Sequence, residues 1–86
     1  MELLDARRLL CPLPVVRARD RLKAITDGGL LDVLADDPLA RVDLQVFCAR
    51  EGHGYLGDRE HPGGGWRISL RKGGAAPPGA PSATAL

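Results

Sequence analysis

The sequence predicts a two-layer α/β sandwich, with two helices packed on one face of a four-stranded mixed sheet and elements in the order βαβαββ. Two strands carry most of this prediction. Residues 30–35 are almost continuously apolar, as in an interior strand, whereas residues 66–71 alternate apolar and polar side chains, as in a strand with one buried face. The other observation is that one segment of helical periodicity precedes the first of these strands and a second lies between the two strands.

Length and composition describe one small domain. The chain has 86 residues, a formal net charge of +1 and two cysteines. Residues 1–72 carry the patterned segments and are predicted to form the domain, whereas residues 73–86 are uncharged, rich in small residues and proline, and predicted to be disordered. No stretch is apolar enough to span a membrane and the start does not resemble a secretory signal, so we expect a cytoplasmic protein with reduced thiols and no membrane partner.

The first half of the chain predicts a strand followed by a helix. Leu3-Leu4 is a short apolar start, and a helix is expected to follow residue 14. Its buried face is marked at helical spacing by Val15, Ala18, Leu22 and Ile25. Asp27-Gly28-Gly29 supplies the glycine expected just beyond a helix end.

The second half predicts a helix and a hairpin. Asp36-Asp37-Pro38 has the capping carboxylates and proline of a helix start, and Gly52 is expected to end that helix. We expect its buried face to consist of Leu39, Val42, Val46 and Ala49, with Phe47 beside them. Residues 54–57 are a weak strand candidate interrupted by glycine, and residues 61–65 are predicted to turn into the last strand.

A cysteine stands between an apolar pair and two alternating prolines in Leu9–Pro14. Because a residue before proline is pushed out of the α region, Cys11 and Leu13 are predicted to be non-helical, with Pro14 at the first helical position. Pro12 and Pro14 should stiffen the turn. Cys11 is therefore expected in the turn that enters the first helix.

A helix start favours a thiolate through its dipole and free N–H groups, here those of Val15, Val16 and Arg17. Nearby arginines would add to this field, so we expect the Cys11 thiol to titrate below its ordinary pKa of about 8.5. Position alone leaves two roles for Cys11 open, a reactive thiol and a small buried apolar side chain.

Several motifs together resemble the TusA-like (SirA-like) family of small sulfur-carrier proteins over about Leu3–Lys72. They are Asp5–Pro14 with its CPxP core, Gly28–Val33, Asp36-Asp37-Pro38, Asp43, Phe47-Cys48 and Gly52-His53. The resemblance implies the same α/β sandwich and a sulfurtransferase-type role, in which Cys11 accepts sulfane sulfur as a persulfide and Pro12 and Pro14 shape its turn. It also implies a donor protein, such as a cysteine desulfurase or a rhodanese, an acceptor protein, and no cofactor. The chain departs from the family at Arg8, where glycine is usual, which implies a different loop path or an added charge.

Charge is unevenly distributed along the chain. Basic side chains dominate residues 7–23, which indicates either a solvated helix face or a docking surface for an acidic partner protein or tRNA. The candidate docking residues are Arg7, Arg8, Arg17 and Arg21. Direct binding of nucleic acid is not expected, because aromatic side chains are scarce and the net charge is near zero. The alternatives are an RNA-binding module and a regulatory interaction module with an inert cysteine. The pathway stays open among tRNA thiolation, molybdenum-cofactor maturation and sulfur oxidation.

The remaining candidate residues have structural interpretations. Cys48 is expected to be a packed thiol, with a resolving partner for Cys11 as the alternative. His53 is expected to cap carbonyls at a helix end, and Asp5 to pair with Arg7 or Arg17. No metal site is predicted, because the cysteines and histidines lack the paired spacing of zinc modules: Cys11, Cys48, His53 and His61.

Overall fold

The structure, a computed structural model, describes residues 2–73. It has six elements, in this order: β1 (Glu2–Asp5), α1 (Leu13–Lys23), β2 (Leu30–Ala35), α2 (Leu39–Glu51), β3 (Gly54–Glu60) and β4 (Trp66–Arg71). This βαβαββ order confirms the predicted fold class. The predicted disordered tail lies outside the described residues, apart from Gly73.

The four strands form one mixed sheet in the order β1-β2-β4-β3. β1 runs parallel to β2, with Leu4 opposite Val33, and β4 runs antiparallel to both β2 and β3. β2 and β4 therefore occupy the interior, as the near-continuous apolar run of β2 predicts. β4 also has the bounds that its alternating pattern predicts.

Both helices pack on the same face of the sheet and share one hydrophobic core. Alternate β2 side chains, Leu31, Val33 and Ala35, face the helices, and Leu70 and Ile68 lie opposite the first two. On the other face the carboxylate of Asp32, only 4% exposed, forms an ion pair with Arg67 of β4.

α1 buries the predicted face but has slightly different ends. Ala18 and Leu22 are almost fully buried, and Val15 and Ile25 pack partly exposed against the core. The helix begins at Leu13, one residue earlier than predicted, and it ends at Lys23, so that Ile25 lies beyond it. Gly28, with φ of 83°, turns the chain towards β2 rather than ending the helix.

The predicted buried face of α2 is wrong. The side chains that enter the core are Ala40, Leu44, Phe47 and Cys48. The predicted set is exposed: Leu39, Val42, Val46 and Ala49. The two sets are offset by about one residue, or roughly 100° around a helix, and the packed face contains Phe47, the aromatic side chain of α2. Gly52 ends α2 as predicted, with a left-handed φ of 80°.

The C-terminal hairpin is longer than its sequence suggests. β3 extends from the weak candidate at residues 54–57 through Glu60, because the backbone of β4 supplies partners along this length. An irregularity between Tyr55 and Gly57 accommodates one extra residue. Residues 61–65 form the predicted turn, and Gly65 lies so close to β2 that an added Cβ would be 2.6 Å from the carbonyl oxygen of Ala35.

Candidate functional site

Cys11 lies exposed in the turn between β1 and α1, as predicted. The turn is closed by backbone hydrogen bonds, with the Leu13 N–H donating to the Leu10 carbonyl at 2.8 Å. Pro12 is the capping residue of α1, and Pro14 is buried in its first turn. The two prolines thus restrict the backbone between the thiol and the first turn of α1.

The surroundings of the thiol are acidic. The Cys11 thiol donates a hydrogen bond to the carboxylate of Asp43 on α2, and the Cys11 N–H donates to Asp37 at 2.9 Å. The hydrogen bond to Asp43 raises the pKa of the Cys11 thiol, and desolvation and the charge of Asp37 act in the same direction. The prediction of a lowered thiol pKa is therefore wrong.

The helix start does not compensate for these carboxylates. The N–H groups of Val15 and Val16, which were expected to stabilise a thiolate, both donate to the Pro12 carbonyl at 3.1 Å. They are therefore used within the first turn of α1.

A groove of about 330 Å³ opens beside the thiol between the two helices. Its apolar lining is Pro12, Val15, Val46 and Phe47, and its polar lining is Cys11, Asp43, Arg50 and Glu51. The exposed face of α2 therefore contributes to the surroundings of Cys11.

None of the four predicted docking arginines lines this groove. Arg21 forms an ion pair with Glu2 at 2.9 Å, and Arg17 is exposed on α1. Arg7 and Arg8 line a separate polar cleft of about 570 Å³, bounded also by Asp5, Asp36 and the glycines of the 61–65 turn. The structure thus distributes these charges over several surfaces.

Arg8 retains the backbone conformation that glycine favours. Its φ is 72°, and its N–H donates to both carboxylate oxygens of Asp36, at 3.0 and 3.1 Å. Of the two effects expected of Arg8, a different loop path or an added charge, the structure shows the second: a charged side chain is added to a backbone that remains left-handed. Arg7, as expected, pairs with Asp5, and its side-chain hydrogen bond lowers the pKa of Asp5 to about 2.

Cys48 and His53 both pack against other parts of the fold, away from solvent or partly so. Cys48 is 2% exposed in the core, and burial raises the pKa of its thiol to about 11, as expected of a packed thiol. His53 packs against Phe47 with ring centroids 5.3 Å apart, and its Nδ1 accepts the N–H of Gly73 at 3.0 Å. Because Nδ1 accepts this hydrogen bond, the ring is not the imidazolium predicted to cap carbonyls, and burial lowers the pKa of His53 in agreement with this.

Between residues 2 and 73, no group of three or more His, Cys, Asp or Glu side chains is arranged to hold a metal ion. Neither of the two helices in this part of the chain is long and apolar enough to cross a membrane.

The sequence interpretation missed the α2 side of the site. Asp43, Val46, Phe47 and Arg50 recur at helical spacing and form the stripe that faces the groove. The resemblance includes Asp43 and Phe47, and the predicted packing face includes Val46, but none of the four is assigned to the site from the sequence. The spacing of this stripe is a usable signal, but it overlaps at Val46 with the more apolar stripe that predicts the packing face.

Comparisons with known proteins place the chain in one family. The family model described as sulfurtransferase TusA matches residues 2–72. The chain is 42% identical over 60 residues to the sulfur carrier protein TusA of Pseudomonas entomophila, covering 70% of this chain and 75% of that protein. It is 41% identical over 71 residues to the putative sulfur carrier protein YrkF of Bacillus subtilis, covering 83% of this chain but only 38% of that protein.

A solved structure has the same fold. The crystal structure of a SirA-like protein from Desulfitobacterium hafniense superposes with a TM-score of 0.75 at 29% identity, covering 86% of this chain and all of the other. The family match spans residues 2–72, nearly all of the described residues, and the relative from Pseudomonas entomophila is 42% identical over three quarters of its own length. The chain therefore belongs to the TusA family of sulfur-carrier proteins.

Proposed function

We propose that Cys11 carries sulfane sulfur as a persulfide and hands it to a thiol of a partner protein. The observation that carries this assignment is the contrast between the two thiols, since Cys11 is exposed in a stiff turn beside a groove whereas Cys48 is buried. Sulfur transfer between proteins requires a thiol that another protein can reach. Only Cys11 meets this requirement.

The transfer needs no external oxidant or reductant. The Cys11 thiolate attacks the terminal sulfur of a donor persulfide, a new S–S bond forms as the donor's S–S bond breaks, and the donor sulfur leaves as a thiolate with the bonding electrons. The proton lost by Cys11 balances the proton that the leaving thiolate takes up. In the second half, an acceptor thiolate attacks the terminal sulfur and Cys11 leaves as the thiolate.

The partner surface proposed here combines apolar and basic groups. Five exposed apolar side chains belong to the two segments that meet at the groove: Leu10, Leu13, Leu39, Val42 and Val46. Arg7, Arg8, Arg17 and Arg21 remain proposed docking residues; Arg7 and Arg21 are already engaged in ion pairs within the chain. We assign residues 1–72 to this carrier domain, with Pro12 and Pro14 shaping the turn.

In this proposal the protein acts in the cytoplasm, receives sulfur from a cysteine desulfurase or a rhodanese, and delivers it to a protein of a pathway such as tRNA thiolation. The family's sulfur-carrier assignment supports a donor and an acceptor protein. The relatives named as sulfur carriers lend no support to the alternatives of an RNA-binding module or an inert cysteine.

The test is the intact mass of the reduced protein after incubation with a cysteine desulfurase and cysteine, or with a rhodanese and thiosulfate. Wild type and the matched control Cys48→Ser should gain the mass of sulfur, and a thiol reductant should remove it. Cys11→Ser should gain none. Equal loading of Cys11→Ser and wild type would overturn the assignment of Cys11.

A further inference from the structure

The thiol of Cys11 is hydrogen-bonded to a carboxylate, and the sulfur transfer proposed above gives this carboxylate no role. Asp43 projects from α2 and accepts the hydrogen bond of the thiol. Asp37, in the turn before α2, accepts the Cys11 N–H, while Glu51 and Arg50 lie further along the groove. The α1 side contributes the apolar Pro12 and Val15. Two carboxylates therefore contact Cys11, and a third carboxylate and one guanidinium line the groove beside it.

This arrangement restrains both halves of sulfur transfer. The Asp43 hydrogen bond favours the protonated thiol, and thiolate is the form that attacks a donor persulfide. A thiol with a raised pKa is also a poorer leaving group, so a persulfide on Cys11 would lose its sulfur more slowly to an attacking thiol. The carrier is thus held in its less reactive form in the absence of a partner.

We propose that the groove beside Cys11 receives a lysine or arginine side chain of a partner protein, and that its ion pair with Asp43 frees the thiol to react. The inference rests on the proposed persulfide role of Cys11. Once Asp43 is paired with the incoming cation, the thiol loses its acceptor and the thiolate gains a nearby positive charge. The thiol proton passes to solvent, and the transfer then proceeds as described above.

The groove matches a basic side chain in both shape and charge. The apolar walls formed by Val46 and Phe47 suit the methylene stem of a lysine or arginine, and Asp43 and Glu51 suit its charged end. Arg50 supplies a single positive charge against these two carboxylates. Charge complementarity therefore favours a cationic occupant over an acidic or a purely apolar one.

The first test measures the rate at which iodoacetamide alkylates Cys11 at a series of pH values between 6 and 10. Intact mass spectrometry monitors the reaction. It uses the Cys48→Ser background, so that one thiol reacts. Asp43→Asn should be alkylated roughly three- to fivefold faster than the parent at pH 7.5, with its rate profile displaced to lower pH. Asp20→Asn, which removes an exposed carboxylate from α1, should leave the profile unchanged. An unchanged profile for Asp43→Asn would overturn the proposal.

The second test leaves Asp43 intact and supplies the cation. A hexaarginine peptide at low salt should accelerate alkylation of the parent, whereas a hexaglutamate peptide should not, and iodoacetamide itself is uncharged. Asp43→Asn should not respond to hexaarginine. Absence of acceleration in the parent, or equal acceleration in both proteins, would contradict a role for the Asp43 ion pair.

These experiments use no sulfur donor and are independent of the loading test. Failure of Cys11 to accept sulfur would remove the proposed function, whatever the alkylation profiles show. Normal loading combined with identical profiles would remove only the proposed role of Asp43.

Discussion

The carboxylate of Asp37 joins the entry turns of the two helices, because one of its oxygens accepts the N–H of Cys11 at 2.9 Å and the other accepts the N–H of Leu39 at 3.0 Å. The side chain predicted to cap α2 therefore also positions the backbone of the reactive turn. These two hydrogen bonds lower the pKa of Asp37.

This dual role predicts an acid-sensitive stability. A carboxylate whose pKa is lowered by folding stabilises the protein above its unfolded pKa of 3.8, and this contribution is lost as the pH falls through the folded value. Asp5, with a pKa of about 2, behaves in the same way. The urea midpoint of wild type should therefore fall between about pH 4 and pH 2. Asp37→Asn should lower the midpoint at pH 7 and show a smaller fall in acid, whereas Asp20→Asn should follow wild type. A parallel fall in Asp37→Asn would contradict this account.

The Asp32–Arg67 pair predicts a strong asymmetry between single and double replacement. The Asp32 carboxylate is 2.6 Å from the Arg67 guanidinium and almost fully buried, so Arg67→Leu leaves a buried charge without its partner. Urea unfolding should show a loss of about 3 kcal/mol for Arg67→Leu. Asp32→Leu combined with Arg67→Leu should recover most of this loss. Equal stability of the single variant and wild type would show that the pair has no structural role.

The turn between β3 and β4 predicts different costs for two glycine replacements. Gly63 and Gly65 both have positive φ, 92° and 78°, but only Gly65 approaches another strand. Gly63→Ala meets backbone strain alone and should cost about 1 kcal/mol. Gly65→Ala adds the collision with the Ala35 carbonyl and should cost at least about 1 kcal/mol more in denaturant unfolding. Similar costs for the two variants would mean that the collision is relieved by a shift of the turn.

The left-handed backbone of Arg8 predicts a stabilising replacement. Arg8→Gly should raise the free energy of unfolding by about 1 kcal/mol, since glycine adopts a positive φ without strain and the N–H remains available to Asp36. The control Arg8→Lys retains the strain and should unfold like wild type. A less stable Arg8→Gly would mean that the Arg8 side chain stabilises the fold by more than its backbone strain destabilises it.

Much of the architecture follows from local patterns in the sequence. The run at residues 30–35, the alternation at residues 66–71 and the helix end at Gly52 each depend on the chain near those residues. The extent of β3 does not, because the backbone pairing that completes it comes from β4. The glycines make β3 a weak strand candidate in the sequence, and pairing with β4 extends it to Glu60.

The reactive turn shows the same limit. Its place before α1 follows from the prolines, but the reactivity of Cys11 depends on Asp43, which lies 32 residues away in sequence. The prediction counted the charges adjacent in sequence, which are mainly arginines, and the fold instead brings carboxylates to the thiol. The buried face of α2 has the same limit. The apolar stripe that includes Leu39 predicts the wrong face, because the packing of Leu44 and Phe47 against the core leaves Leu39 exposed.

The two edges of the sheet restrict how other proteins can approach. β1 has four residues, and β3 contains an irregularity near Gly57 and ends in Asp58, Arg59 and Glu60. Short, irregular and charged edges offer a poor template for an additional strand. Recognition by extension of the sheet is thereby disfavoured, which discourages self-assembly through main-chain pairing. Partners would therefore distinguish this carrier from other small α/β domains by the side chains of its helices and turns, the elements in which Cys11 and Asp43 lie.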